Sequence, residues 1–229
     1  MSPGSRPSLT TQRLEALSDG VIAIAATLLV LDLGHLDVSG GQHVFDAVLD
    51  EWPSLLAYLM SFSVIGLIWV AHHGMFERIS SVDRPLLFLN LALLLVIGFI
   101  PWPTSVLAEF IDAGGVDAAS ATALYSITMT IIGLVFTGMW WHLARHPEHT
   151  IESVTETQIR RSLRFSAVSP IVYGITIPLA FVSPYLCLVV YAGLAAYFAR
   201  GPSARALLHA RENVPAPVDD DESVDGPAE

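Results

Sequence analysis

The side chains able to do chemistry gather at a few places in an otherwise apolar chain. In RLEALSDGVIAIAATLLVLDL, Arg13 to Leu33, the groups Arg13, Glu15, Ser18 and Asp19 precede 12 uncharged residues, which Asp32 closes. Twelve residues make about 18 Å of helix, short of the roughly 30 Å of a bilayer core. Glu15 and Asp19 are four apart, so they share a face and repel each other. Arg13 lies six before Asp19 and cannot reach it along that face. An unpaired acid near a membrane is costly, so Asp19 needs a partner from another helix. A second cluster, WVAHHGMFERI, supplies Trp69, His72 and His73. A histidine donating to Asp19 would staple the two segments, and either one is eligible. Histidine titrates near neutrality, so a proton-sensing role is open to the pair.

His142, His146 and His149 follow an i, i+4, i+7 spacing with Glu148 nearby. The spacing suits a metal, but Pro147 interrupts the helix there. Interfacial histidines are the expectation, and no metal site is assigned. His72 and His73 are adjacent and point different ways, which argues against joint ligation. Asn90, inside an apolar segment, is expected to bond across helices. No nucleophile–base pair, Gly-rich phosphate loop or paired catalytic carboxylate stands out, so neither an enzyme nor a cofactor is expected. No basic patch supports a nucleic-acid partner.

These groups must be positioned by membrane helices. The chain has 229 residues, 53% hydrophobic and 14% charged, against about 25% charged in soluble domains. Its mean hydropathy is +0.57. Hydropathy gives six segments, about 14–33, 53–75, 86–108, 119–143, 163–182 and 185–200, an all-α polytopic architecture. The fourth is more polar (Ser120, Thr122, Ser126, Thr128, Thr130, Thr137), which suits contact with other helices. The last two, separated by Val182-Ser183-Pro184, should form a tight hairpin. Pro101, Pro103, Pro170 and Pro178 should kink or end helices. The apolar run starts only after Asp19, so the first helix is expected to be retained rather than cleaved as a signal peptide. Cys187, the lone cysteine, reads as a small buried hydrophobe.

Orientation follows from arginine. All 11 basic residues are Arg, and with six spans every one falls on the same side as both termini. The opposite loops carry Asp37, Asp46, Asp50, Glu51, Glu109, Asp112 and Asp117. The positive-inside rule puts both termini in the cytoplasm, with the cell inner (plasma) membrane as the expected location. Trp52 and Trp102 fit the outer aromatic belt, Trp140 and Trp141 the inner one. Seven of the 22 acids lie from Glu212 onward, without a base, so residues 201–229 are expected to be a disordered acidic tail behind a membrane domain of residues 1–200.

At about 100° per residue, Ile24, Leu28 and Leu31 fall within about 60° of one another, with Thr27 on the same flank and Asp19 about 140° from Ile24. One helix thus carries an apolar stripe with a single hydroxyl and a polar staple behind it. Periodicity alone leaves that stripe facing lipid or neighbouring helices. Ideal extrapolation returns Arg13 to the stripe; the helix end is expected to splay there, letting Arg13 pair with an acid or a carbonyl.

RLEALSDGVIAIAATLLVLDL, His72-His73 closing the second segment and NLALLLVIGFIPWPTS in the third resemble the transmembrane protein 175 family, the endosomal and lysosomal potassium channels and their bacterial relatives. The family's Arg-x-x-x-Phe-Ser-Asp reads here Arg13-x-x-x-Leu17-Ser18-Asp19, with Leu for Phe. The likeness covers residues 12 to about 105 well, and later segments by pattern. It implies six helices per repeat, a single-repeat chain assembling as a homotetramer, and a central pore lined by helix 1. Ile24, Leu28 and Leu31 match the family's narrow apolar layers, and Thr27 matches a hydroxyl implicated in selectivity. Arg13, Ser18, Asp19, Trp69, His72, His73 and Asn90 would form the motif and its inter-helix staple. Carbonyl-ring selection is not expected, since no TVGYG filter is present. Ile and Leu rings would gate by dewetting and radius, conducting K⁺ with modest preference over Na⁺. Asp32 at the outer end would concentrate cations in a vestibule, with Asp37 further out. The rival reading is a proton-coupled secondary transporter or proton-leak channel using Asp19 and His72 or His73, although transporter sites belong near the bilayer midplane.

Overall fold

The computed structural model describes residues 11–33 and 43–201, and the secondary structure is helical throughout. Helix α1, Thr11–Leu28, runs into a 3₁₀ turn, Leu29–Leu33; a short α2, Val44–Asp50, then leads into α3, Trp52–Phe76. Next come α4, Arg84–Phe99, and α5, Pro101–Phe110, followed by the long α6, Gly115–Arg145. A 3₁₀ turn, Pro147–His149, leads to α7, Glu156–Ser166, then α8, Val168–Ala180, and α9, Pro184–Ala199. Among the described residues the only β pairing is a single antiparallel bridge between Ile79 and Thr150.

Among the described residues, five stretches are long and apolar enough to cross a membrane: Thr11–Leu31, Trp52–Phe76, Arg84–Phe110, Gly115–Arg145 and Glu156–Ala180. The sixth expected segment is α9, apolar but only 16 residues long, about 24 Å of helix. Proline divides two of the spans. Pro101, with no N–H to donate, opens α5 where α4 ends at Phe99. Ala167 separates α7 from α8, and Pro170 follows in the first turn of α8. Side chains mark the starts: Asp83 Oδ1 accepts from the Leu86 N–H (3.0 Å), and Thr155 and Gln158 form a reciprocal capping box. Ser183 caps α9 by accepting from the Leu186 N–H, which makes the turn after α8 tight.

Helix α6 is the centre of the bundle. Of its apolar stretch 56% is buried, against 22–33% for the other spans. Its hydroxyls serve that position. Tyr125 Oη and Thr104 Oγ1 both bond Ser61 Oγ (3.2 and 2.8 Å), joining α3, α5 and α6. Ser126 Oγ likewise bonds Thr176 Oγ1 and Tyr191 Oη (3.0 and 2.5 Å), joining α6, α8 and α9. Hydrogen bonds of this kind hold helices together where lipid removes the hydrophobic drive. Gly133 lets α8 approach: a Cβ there would stand 2.8 Å from Cδ and N of Pro170. Trp140 departs from its expected place in the aromatic belt, being 4% exposed. One residue on, about 100° around the helix, Trp141 faces outward with the Arg145 guanidinium over its ring. Cys187 is fully buried.

Candidate functional site

Helix α1 has two faces of opposite character. Leu14, Ser18, Ile22, Ala25 and Leu29 recur at helical spacing and are all buried, packed towards α3 and α4. The opposite face is apolar and bare: Leu17 is 49% exposed, Ile24 60%, Leu28 41% and Leu31 73%. Thr27 is exposed on the same side, its hydroxyl donating back to the Ile24 carbonyl (2.9 Å). That bond satisfies the hydroxyl proton and leaves the lone pairs of Oγ1 outward. Contrary to the expected splaying, α1 stays helical through Arg13, which is exposed on the stripe's side. Asp32 lies in the 3₁₀ turn; its side chain, like Asp37 and the tail from residue 202, is outside the described residues.

The buried face is fixed at its foot by a directed chain of hydrogen bonds. Ser18 Oγ donates to the Leu14 carbonyl (2.9 Å), so it can only accept from elsewhere. Asn90 on α4 therefore presents Nδ2 to Ser18 Oγ (3.0 Å), which turns its Oδ1 towards His72 Nε2 (2.9 Å). An amide oxygen only accepts, so His72 Nε2 carries the proton. All three side chains are fully buried, and His72 stacks on Phe76 with ring centroids 4.3 Å apart. His72 Nδ1 is left buried without a partner.

The acids of α1 are met by a second set. Trp69 Nε1 donates to Asp19 Oδ1 (2.9 Å), and His73 Nδ1 meets Glu15 Oε1 (3.0 Å). Glu77 approaches the other ring nitrogen of His73 at 3.5 Å. Neither histidine holds Asp19, in contrast to the staple expected between them. The reason is register. Glu15 and Asp19 are four apart on α1, Trp69 and His73 four apart on α3, and the two helices run antiparallel. Each pair therefore faces the other, 15 to 73 and 19 to 69. Trp69 and His73 stack with centroids 5.8 Å apart. His72, about 100° around α3, is aimed at α4 instead. The matching of i, i+4 pairs was present in the sequence as a signal for the Glu15–His73 contact, which residue type alone did not single out.

One end of the bundle thus gathers Arg13, Arg78, Arg84, Arg145 and Arg200 at helix ends and Arg160, Arg161 and Arg164 along the short α7, together with this anchor. The other end carries Glu51, Glu109 and Asp112, the last accepting from Tyr185 Oη (2.9 Å). Ser18, Asn90 and His72 in one hydrogen-bonded chain, and Asp19, Trp69 and His73 in the second set, lie side by side at the arginine end. Ile24, Thr27, Leu28 and Leu31 form a separate stripe leading away from it. A rigidly mounted helix with an apolar, outward face can line a path or an interface.

Comparison with known proteins converges on the same helices. A family model described as endosomal/lysosomal potassium channel TMEM175 matches residues 13–101, which contain α3, α4 and all but the first two residues of α1, and so the whole anchor. A Streptomyces collinus protein named a potassium channel is 42% identical over 189 residues, covering 81% of this chain and 90% of its own length. The crystal structure of a lysosomal potassium-selective channel TMEM175 homolog from Chamaesiphon minutus superposes with a TM-score of 0.71 at 33% identity, covering 82% of this chain and 96% of that one. A Gallus gallus protein named endosomal/lysosomal proton channel TMEM175 is 37% identical over 112 residues, 45% of this chain and 22% of its own.

Proposed function

The chain belongs to the TMEM175 family of potassium channels, and from that premise we propose that it is a multi-pass membrane channel that passes K⁺ through a pore lined by α1. The observation that carries the reading is the bare stripe of Ile24, Thr27, Leu28 and Leu31 on a helix whose opposite face is locked. One chain cannot enclose a pore with one helix. Four copies, each turning this stripe to a common axis, would bury it and leave a narrow apolar tube. Residues 1–200 would form this channel unit with six crossings, α9 the shortest, and residues 201–229 its cytoplasmic tail. The arginine end would face the cytoplasm of the bacterial cell, with both termini.

In that tube Ile24, Leu28 and Leu31 have no atoms to replace an ion's hydration shell, so conduction depends on radius and wetting. The outward lone pairs of Thr27 make the one polar ring in the constriction. They offset part of the dehydration cost of a weakly hydrated cation such as K⁺, and less of that for Na⁺. Modest selectivity follows. A ring of Asp32 carboxylates at the outer mouth would raise the local cation concentration. The anchor of Ser18, Asp19, Trp69, His72, His73 and Asn90 would hold α1 at a fixed distance from the axis.

The name of the animal relative, a proton channel, favours a second reading in which Asp19 and His72 or His73 move protons. Against it, neither histidine touches Asp19, and the neighbour of His72 in the buried chain is an amide that does not ionise. Planar-bilayer recording under opposed K⁺ and Na⁺ gradients separates the two. A unitary cation current whose size or selectivity changes in Ile24→Asn supports the pore. Saturable flux without unitary events, abolished by Asp19→Asn in folded protein, overturns it.

A further inference from the structure

At the arginine end, away from α1, three side chains from separate segments converge. His142 Nε2 on α6 and His149 Nε2 in the Pro147–His149 turn both face one oxygen, Oδ2 of Asp83, at 2.8 and 3.4 Å. All three atoms lie within 4.8 Å of one another. Tetrahedral donors at about 2.0–2.1 Å from a zinc ion stand about 3.4 Å apart, so small side-chain rotations suffice to close the set. Two imidazoles and a carboxylate are the donor chemistry of Zn²⁺ and its neighbours among the later divalent transition metals.

Two of the three ligands, Asp83 and His149, are already oriented by a second hydrogen bond. Asp83 Oδ1 accepts from the Leu86 N–H as the N-cap of α4, which directs Oδ2 towards the histidines. His149 Nδ1 is bonded to Ser81 Oγ (2.8 Å), which commits that nitrogen and leaves Nε2 for the ligand position. The His149 carbonyl accepts from the Ser80 N–H (2.8 Å), and the Ile151 N–H donates to the Arg78 carbonyl (3.1 Å), so the turn is pinned against the α3–α4 loop. Outer hydrogen bonds of this kind fix tautomer and ring angle in metal sites. The side chains of Asp83 and His149 are 24% and 20% exposed, which leaves a way in for the ion and a fourth position for solvent. His146 lies beside His142 with its ring tilted and the centroids 4.7 Å apart, but its Nδ1 is turned to Glu148.

We propose that Asp83, His142 and His149 form a binding site for one divalent transition-metal ion of the zinc type per chain. The ion would fasten the start of α4 to the end of α6. Asp83 lies seven residues, two helical turns, below Asn90, so the site would brace the helix that carries the α1 anchor.

The test uses full-length protein purified in detergent without a polyhistidine tag. Zinc affinity is read by competition with a chromophoric chelator, and stoichiometry by elemental analysis after gel filtration. Wild type is compared with His149→Ala, which alters only a surface turn, and with Asp83→Asn, which keeps an N-capping oxygen. The expected result is one zinc per chain in wild type, at least tenfold weaker binding in each variant at an unchanged elution volume, and a zinc-induced rise in thermal midpoint confined to wild type. No zinc retained by wild type, or affinity preserved in either variant, overturns the proposal.

Discussion

Replacing Asn90 by Leu keeps the volume of a fully buried side chain but removes the middle of the Leu14–Ser18–Asn90–His72 chain. Ser18 still donates to the Leu14 carbonyl and loses only an incoming bond. The His72 Nε2–H, however, loses its acceptor inside the bundle, at a cost of about 1–3 kcal/mol. His72→Leu strands Asn90 Oδ1 at a similar cost, reduced because the already partnerless Nδ1 leaves with the ring. The double variant removes donor and acceptor together, which can be nearly neutral. The single effects should therefore exceed the double by about 1–1.7 kcal/mol, at the upper end of couplings measured within membranes, or roughly tenfold in the unfolding equilibrium. The assay is reversible unfolding in mixed micelles with rising SDS, followed by tryptophan fluorescence, as a double-mutant cycle. Additivity within about 0.5 kcal/mol would refute the directed chain and the Nε2–H assignment of His72.

Gly133→Val should destabilise the bundle by about 1–3 kcal/mol, because even its Cβ meets Pro170 at 2.8 Å; an unchanged thermal midpoint in detergent would contradict the close approach of α6 and α8. Trp69→Phe keeps an aromatic ring but loses the indole N–H to Asp19, and with Trp69 41% exposed the expected loss is about 0.5–1.5 kcal/mol, read in the same SDS titration. Thr27→Val removes the only polar group on the stripe while nearly keeping its size. Reversal potentials under a K⁺/Na⁺ gradient should move towards zero, and a shift in the other direction would separate selectivity from this hydroxyl.

The sequence by itself determined which residues share a face. Helical periodicity placed Ile24, Leu28 and Leu31 together and set Asp19 away from them, and the alternation of apolar segments put the arginines of the described residues at one end of the bundle. Those relations depend only on the pitch of a helix and on the cost of carrying charge through lipid, and both act locally along the chain. Periodicity had no means of saying which face of α1 turns inward. The packing of Ile22, Ala25 and Leu29 towards α3 and α4 decided that, leaving the Ile24 stripe bare. Partner choice was likewise tertiary. Asp19 met Trp69 rather than a histidine because antiparallel register aligns i, i+4 pairs across two helices, a relation between segments 50 residues apart. Asp83 showed the same limit most plainly. In sequence it is only the residue before Arg84-Pro85 and drew no reading; the folding of α6 against α4 brings His142 and His149 to its second oxygen.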